Sequence, residues 1–267
     1  MAPILTESPA AGAVAAEVLA GLYQRLSACL VDPSWSSNPA AVKQARILSR
    51  RLKAALEFFG GKPLRLVRQL DRATAPLAKL RDVDAIADLL AKRGQPDALV
   101  VLSAQRAKGQ LRTAKVAAWV AALDADLDAH AERLLEAPPV PLDAFGADQL
   151  RRRREQFALR LASAGRTDSA PNFAGVHRAR RALRRLRYDL EALRPWLPDT
   201  KAALKPIKAT LDELGALADL DAGRHWLRKN GYRELAASLD REIGEVLPTA
   251  WVSLGRVLPA FDAWLAS

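Results

Sequence analysis

The chain has 267 residues, 50% of them hydrophobic, and carries 41 Lys and Arg against 30 Asp and Glu, a formal charge of +11. That length and apolar content are enough for a sizeable buried core, which argues against a disordered chain, and the charge favours an anionic partner such as nucleic acid, a phosphate polymer or lipid head groups. The single cysteine, Cys29, excludes an internal disulfide, and His130, His177 and His225 are too few for a closed Cys/His zinc site.

The N-terminal stretch MAPILTESPAAGAVAAEVLAGLYQRL lacks a basic leader, and Glu17 breaks its apolar part well short of the roughly 20 residues of a membrane span. A soluble, cytoplasmic chain with a loose tail over 1–12 and no membrane partner is the expectation. From there on Ala and Leu dominate and apolar residues recur three and four apart, which predicts helix throughout. Breakers divide the helices at 31–40 (VDPSWSSNPA), 59–63 (FGGKP), 93–98 (RGQPDA), 137–147 (APPVPLDAFGA), 166–172 (RTDSAPN), 194–200 (RPWLPDT) and 229–232 (KNGY).

The Pro-rich stretch 137–147 sits near the middle, and the two sides match across it. VKQARILSRRLKAAL (42–56) lies over VHRARRALRRLRYDL (176–190) at an offset of 134, and RDVDAIADLLAKRG (81–94) over ADLDAGRHWLRKNG (218–231) at 137. Two ordered matches at nearly one offset predict an internal duplication. The expected fold is all-α: two tandem four-helix up-and-down bundles, residues 13–136 and 148–267, joined by a linker at 137–147 into one domain.

At about 100° per residue, the helix over 176–190 divides into two sides. Val176, Ala179, Ala182, Leu183, Leu186, Leu190 and Leu193 form an apolar sector, and His177, Arg181, Arg184 and Tyr188 run along the opposite line. Arg180 and Arg187 flank that line on one side, Arg178 and Arg185 on the other. Like charges one turn apart repel by a few tenths of a kcal/mol per pair. An ordinary solvated face mixes signs, but no acid occurs in 177–188, and none in 42–56, where Lys43, Arg46, Arg50, Arg51 and Lys53 repeat the pattern. A duplicated single-sign face reads as an anion-binding surface, and arginine suits phosphate because its planar fork donates two parallel hydrogen bonds.

The pattern VHRARRALRRLR followed by LGALADLD, with VKQARILSRRLK and LAKLRDVD in the first half, resembles the CHAD domain, the conserved-histidine α-helical family, over roughly Ala13 to Leu265. In that comparison Lys43 stands in place of the histidine, Ala78 in place of a glycine and Ala218 in place of an arginine. The resemblance implies two four-helix bundles about a pseudo-twofold, a basic central groove or pore, and binding of inorganic polyphosphate, often on bacterial granules with their associated proteins. Carried over by position, the contacts come from Lys43, Arg46, Arg50, Arg51 and Lys53 in the first half. In the second half they come from His177, Arg180, Arg184, Arg185 and Arg187, with Arg181 adding charge where the family prefers an apolar residue, and with Arg68, Lys205 and Lys208 as secondary candidates on the following helices.

Asp82 and Asp84, and Asp219 and Asp221, form two close carboxylate pairs. They open an alternative, a metal-dependent phosphohydrolase, but the more economical reading is that Asp82 and Asp219 cap a helix or pair with the neighbouring basic helix. No phosphate loop, GxSxG elbow or histidine pair at metal spacing occurs. The expectation is therefore a non-catalytic polyphosphate-binding module without cofactor or metal. Nonspecific RNA or DNA binding is the rival within the binding class.

Overall fold

The computed structural model describes residues 8–60, 64–165, 173–197 and 199–266, and the regular structure among them is helical. In chain order the elements are α1 (Ala11–Ala28), a short 3-10 turn (Trp35–Ser37), α2 (Pro39–Phe59), α3 (Leu64–Ala91), α4 (Pro96–Thr113), α5 (Val116–Ala121), α6 (Asp124–Glu136), α7 (Leu142–Ala164), α8 (Phe173–Leu193), α9 (Thr200–Lys229) and α10 (Arg233–Leu265). The all-α expectation holds, because a chain of Ala, Leu and Arg with few β-branched residues has little to gain from strands.

The breakers act by identifiable chemistry. Asn38 accepts a hydrogen bond from the Ala40 amide at 2.9 Å and Pro39 opens α2, an N-cap followed by a residue that needs no amide partner. Gly94 and Gly231 take φ values of 62° and 87° at the ends of α3 and α9, a region in which other residues are strained. Helix α7 starts at Leu142, inside the stretch expected to be a linker. Residues 61–63 of the predicted break at 59–63, the whole break at 166–172, and Pro198 of the break at 194–200 lie outside the described residues.

Two breaks carry no glycine or proline. The Thr113 hydroxyl donates to the Gln110 carbonyl at 2.7 Å, the acceptor that the amide four residues on would use, and α4 ends there. A second turn at Ala122 and Leu123 separates α5 from α6, and Val116, Val120, Leu123 and Leu127 stay buried through both steps.

Of the loose tail expected over 1–12, residues 1–7 lie outside the described residues, but the rest is held. The Ala11 amide donates to the Val140 carbonyl at 2.8 Å and the Leu142 amide to the Pro9 carbonyl at 2.9 Å, a short antiparallel bridge that satisfies backbone groups next to two helix starts.

The chain divides into two compact units, Met1–Asp84 with Val100–Gln149, and Ala85–Leu99 with Leu150–Ser267. The boundaries fall inside α3, α4 and α7. In the first unit α1 packs on α2 and α6, and Leu19, Leu26, Leu48, Leu52 and Leu56 are buried. Phe58 and Phe59 meet edge-on at 5.0 Å, with Phe145 stacked on Phe59 at 5.9 Å. In the second unit α9 packs on α8 and α10 around Leu183, Leu186, Ile207, Leu214, Leu254 and Phe261. Gly175 at the start of α8 permits a close approach to α7: a Cβ there would lie 2.6 Å from that of Ala164.

Candidate functional site on two basic helices

Helices α2 and α8 are each 21 residues long, and both their ends are 134 apart in sequence, the offset at which the two basic segments match. Their core sides correspond as well. Val42, Ala45, Leu52, Leu56 and Phe59 are buried in one, and Val176, Ala179, Leu186, Leu190 and Leu193 in the other. Periodic apolar residues therefore orient both helices, leaving the cationic side turned away from the core.

In the first unit Lys43 is exposed, and Arg46, Arg50, Arg51 and Lys53 are half-buried along α2. The Arg46 guanidinium donates through Nη1 to the Ala78 carbonyl at 3.0 Å and to Asp82 Oδ1 at 2.8 Å, both on α3. Lys53 pairs with Asp71, also on α3. Arg68 is exposed one turn before Asp71, and no contact brings it to the α2 cations.

In the second unit His177, Arg180, Arg184 and Arg187 are half-buried on α8, while Arg181 and Arg185 are exposed. Arg187 Nε donates to Glu191 Oε1 at 2.9 Å, and Lys208 of α9 lies 3.6 Å from the same oxygen, so Glu191 draws one secondary candidate to the basic helix. Lys205 is exposed on α9 without such a link. Burial and the neighbouring charges of Arg181, Arg180 and Arg184 push the His177 imidazole below its ordinary pKa, with the Asp221 carboxylate opposing them. His177 thus sits half-buried among the cations of α8, with one carboxylate opposing them.

Two expectations require correction. Tyr188, placed on the solvent line with His177, is buried together with Asp189 and Leu190, as Ala54, Ala55 and Leu56 are in α2. The C-terminal third of each helix is enclosed on several sides, so the cationic face ends near Lys53 and Arg187. Asp82 and Asp219 cap nothing, because α3 and α9 run unbroken through them. Asp82 instead serves the second role expected of it and pairs with the basic helix. Its neighbour Asp84 is buried and accepts from Arg106 Nε at 2.7 Å, while Asp221 pairs with Arg224 and faces His225 Nδ1 at 3.2 Å. Asp82, Asp84 and Asp221 thus face cationic or imidazole side chains. Among the described residues no group of three or more His, Cys, Asp or Glu side chains is placed to hold a metal, and no helix is long and apolar enough to cross a membrane.

The sequence pattern of the CHAD domain matches residues 15–243. This chain belongs to the CHAD family. Among solved structures, the CHAD domain from the plant Ricinus communis superposes with a TM-score of 0.76 at 20% identity, covering 98% of this chain and 95% of that one. PptA from Streptomyces chartreusis superposes with a TM-score of 0.50 at 18% identity, over 97% of this chain and 100% of that one. At such identities the likeness concerns the fold. No curated protein matches the chain.

Within this CHAD domain the small residue of the LA or LG element has a physical use. The Arg46 guanidinium reaches the backbone over Ala78, and at the matching position of the second unit Arg180 Nη2 lies 3.9 Å from where a Gly215 Cβ would stand. A long side chain at either place would displace the arginine that crosses it. Residues that sequence reasoning did not assign are the acids that steady the cations. Glu191 was legible as an i,i+4 partner of Arg187, but Asp71, which pairs with Lys53 from another helix, left no local signal.

Proposed function

We propose that this CHAD domain binds inorganic polyphosphate without catalysis, through the cationic faces of α2 and α8. The observation that carries the reading is the cationic face of α8, which holds no acid from His177 to Tyr188; burial first, and then the charges of Arg181, Arg180 and Arg184, push the His177 imidazole below its ordinary pKa there, and a bound anion would relieve the charge repulsion. Arg180, Arg181, Arg184 and Arg185 supply planar donors for phosphate oxygens on α8, and Arg46, Arg50 and Arg51 do so on α2, where Lys43 and Lys53 add point charges. Sparse aromatic residues on these faces favour polyphosphate over single-stranded RNA, which is bound chiefly by stacking. The pairing of Asp82, Asp84 and Asp221 with basic side chains leaves those carboxylates poorly suited to metal-assisted hydrolysis. Recruitment to polyphosphate granules in the cytoplasm follows naturally from such binding.

The deciding experiment is competition at physiological salt: labelled long-chain polyphosphate is displaced by unlabelled polyphosphate, single-stranded RNA or duplex DNA at equal phosphate concentration. A preference of about tenfold for polyphosphate, near 1.4 kcal/mol, is expected. Equal displacement by all three competitors would assign a generic cationic surface instead.

A second expectation concerns pH. The folded protein binds the His177 proton less readily than the unfolded chain does, so this group's contribution to stability is present above the usual histidine value of about 6.5 and lost as pH falls below it. A polyanion on α8 reverses the repulsion and raises the pKa. Binding therefore takes up a proton, and affinity rises as pH falls from 7.5 towards 5.5, a window of about one unit on either side of the histidine range. Imidazole chemical shifts with and without polyphosphate measure the shift directly, and His177→Gln should flatten the affinity profile.

A further inference from the structure

Helix α4 has two apolar sides, and one of them is exposed among the described residues. Its core side is set by Leu102, Gly109 and Thr113; Leu102 and Thr113 are buried, and a Cβ on Gly109 would lie 3.0 Å from the Leu80 side chain of α3. Nearly opposite run Val100, Ala104, Ala107 and Leu111, all exposed, with Val100 at 70% and Leu111 at 80%. Their spacings of four, three and four residues are those of a heptad seam and place them within about 60° of one another around the axis.

The surroundings of this stripe specify charge as well as shape. Lys108 and Arg112 are exposed along one edge, Lys115 is exposed just past the helix end, and no Asp or Glu occurs from Ala98 to Leu123. Arg106 on the core side is already engaged by Asp84. The other edge carries Ser103 and Gln110, which are uncharged. A second copy of this chain would set like charges near one another across an antiparallel seam, which costs stability. A lipid surface would gain little from the stripe's centre, because Ala104 and Ala107 have scarcely any apolar area to insert. The same small residues let another helix approach closely.

We propose that the exposed stripe of α4 docks an amphipathic helix with an acidic flank from a partner protein, seated on Val100, Ala104, Ala107 and Leu111 and oriented by Lys108 and Arg112. The stripe uses none of the residues of the cationic faces of α2 and α8 and does not depend on polyphosphate binding. It gives a phosphate-binding module a second, protein-directed attachment point.

The test uses the full chain and two designed peptides about three heptads long, both with Leu at the seam positions, one flanked by Glu and the other by Lys. Fluorescence anisotropy is expected to show the Glu-flanked peptide binding at least about tenfold more tightly than the Lys-flanked one. Leu111→Asp, at a solvent-exposed site where circular dichroism should show an unchanged fold, removes that binding. Lys108→Glu combined with Arg112→Glu transfers the preference to the Lys-flanked peptide. Saturating polyphosphate leaves Glu-peptide binding in place. Binding that survives Leu111→Asp or is displaced by polyphosphate would place the peptide on α2 or α8 and overturn the proposal. It is equally overturned if neither peptide binds, if anionic vesicles bind in a Leu111-dependent way while the peptides do not, or if the wild-type chain dimerises and Leu111→Asp makes it monomeric.

Discussion

Replacing Arg180, Arg184 and Arg185 together by glutamine is expected to lower the affinity for long-chain polyphosphate by about two orders of magnitude. A hydrogen bond to a charged group is worth about 1.5–3 kcal/mol when well formed, and solvent screening at these half-buried (Arg180, Arg184) and exposed (Arg185) positions reduces this to about 1 kcal/mol each. Three such losses give about 3 kcal/mol, or somewhat more than a hundredfold. The dependence on salt changes too. If each arginine neutralises one phosphate of a flexible chain, the slope of log affinity against log salt becomes shallower by about 0.7 per side chain, near 2 in total. Glutamine keeps part of each aliphatic stem, so packing against α9, where Arg180 passes over Gly215, is largely retained. Binding isotherms across a salt series, with circular dichroism as the control for folding, check both numbers. An unchanged affinity in a folded variant would mean that the site lies elsewhere.

The largest effect on stability is expected from Asp189→Ala, on the same helix but on its buried side. The Asp189 side chain has no exposed surface and that of Arg153 is 12% exposed, with Arg153 Nε donating to Oδ2 at 2.9 Å. This pair ties α7 to α8. Removing one member strands the other charge in a region from which water is excluded, which costs about 3–5 kcal/mol. Replacing both, as Arg153→Met with Asp189→Leu, removes the stranded charge and should recover most of the loss, because a buried ion pair and an apolar pair of similar volume are close in free energy. Urea unfolding of the two single variants and the double variant measures the coupling. With two compact units the unfolding need not be a single transition, so the α8 signal should be followed separately. A loss below about 1 kcal/mol for Asp189→Ala would show that water or a neighbouring group replaces the carboxylate.

These two predictions use residues that were unequally legible in the chain. Arg184 and Arg185 announce themselves, because single-sign charge at helical spacing can be counted along the sequence. Asp189 looks like the first acid after a basic run, and nothing nearby indicates that it faces Arg153, which is 36 residues away in another helix. Tyr188 illustrates the same limit. A helical wheel correctly groups Val176, Ala179, Leu183, Leu186, Leu190 and Leu193 on the buried side, yet it assumes one core side and one solvent side along the whole length. Helix α8 is enclosed more fully towards its C-terminal end, so a residue on the solvent line becomes buried there. The break between α4 and α5 was invisible for a related reason: Thr113 is a poor stop signal by composition and acts through a hydroxyl bond to Gln110.

Local chemistry accounts for what could be read from the residue order: the all-helical class, most of the helix ends and the paired basic segments. Those properties depend on neighbours within a few turns, where periodicity, caps and like-charge repulsion act directly. Which acid steadies which cation, where the cationic faces stop, and the second apolar face of α4 arise from contacts between segments tens of residues apart. Burial sets the energy of such contacts, and burial is a property of the assembled helices that no local pattern encodes.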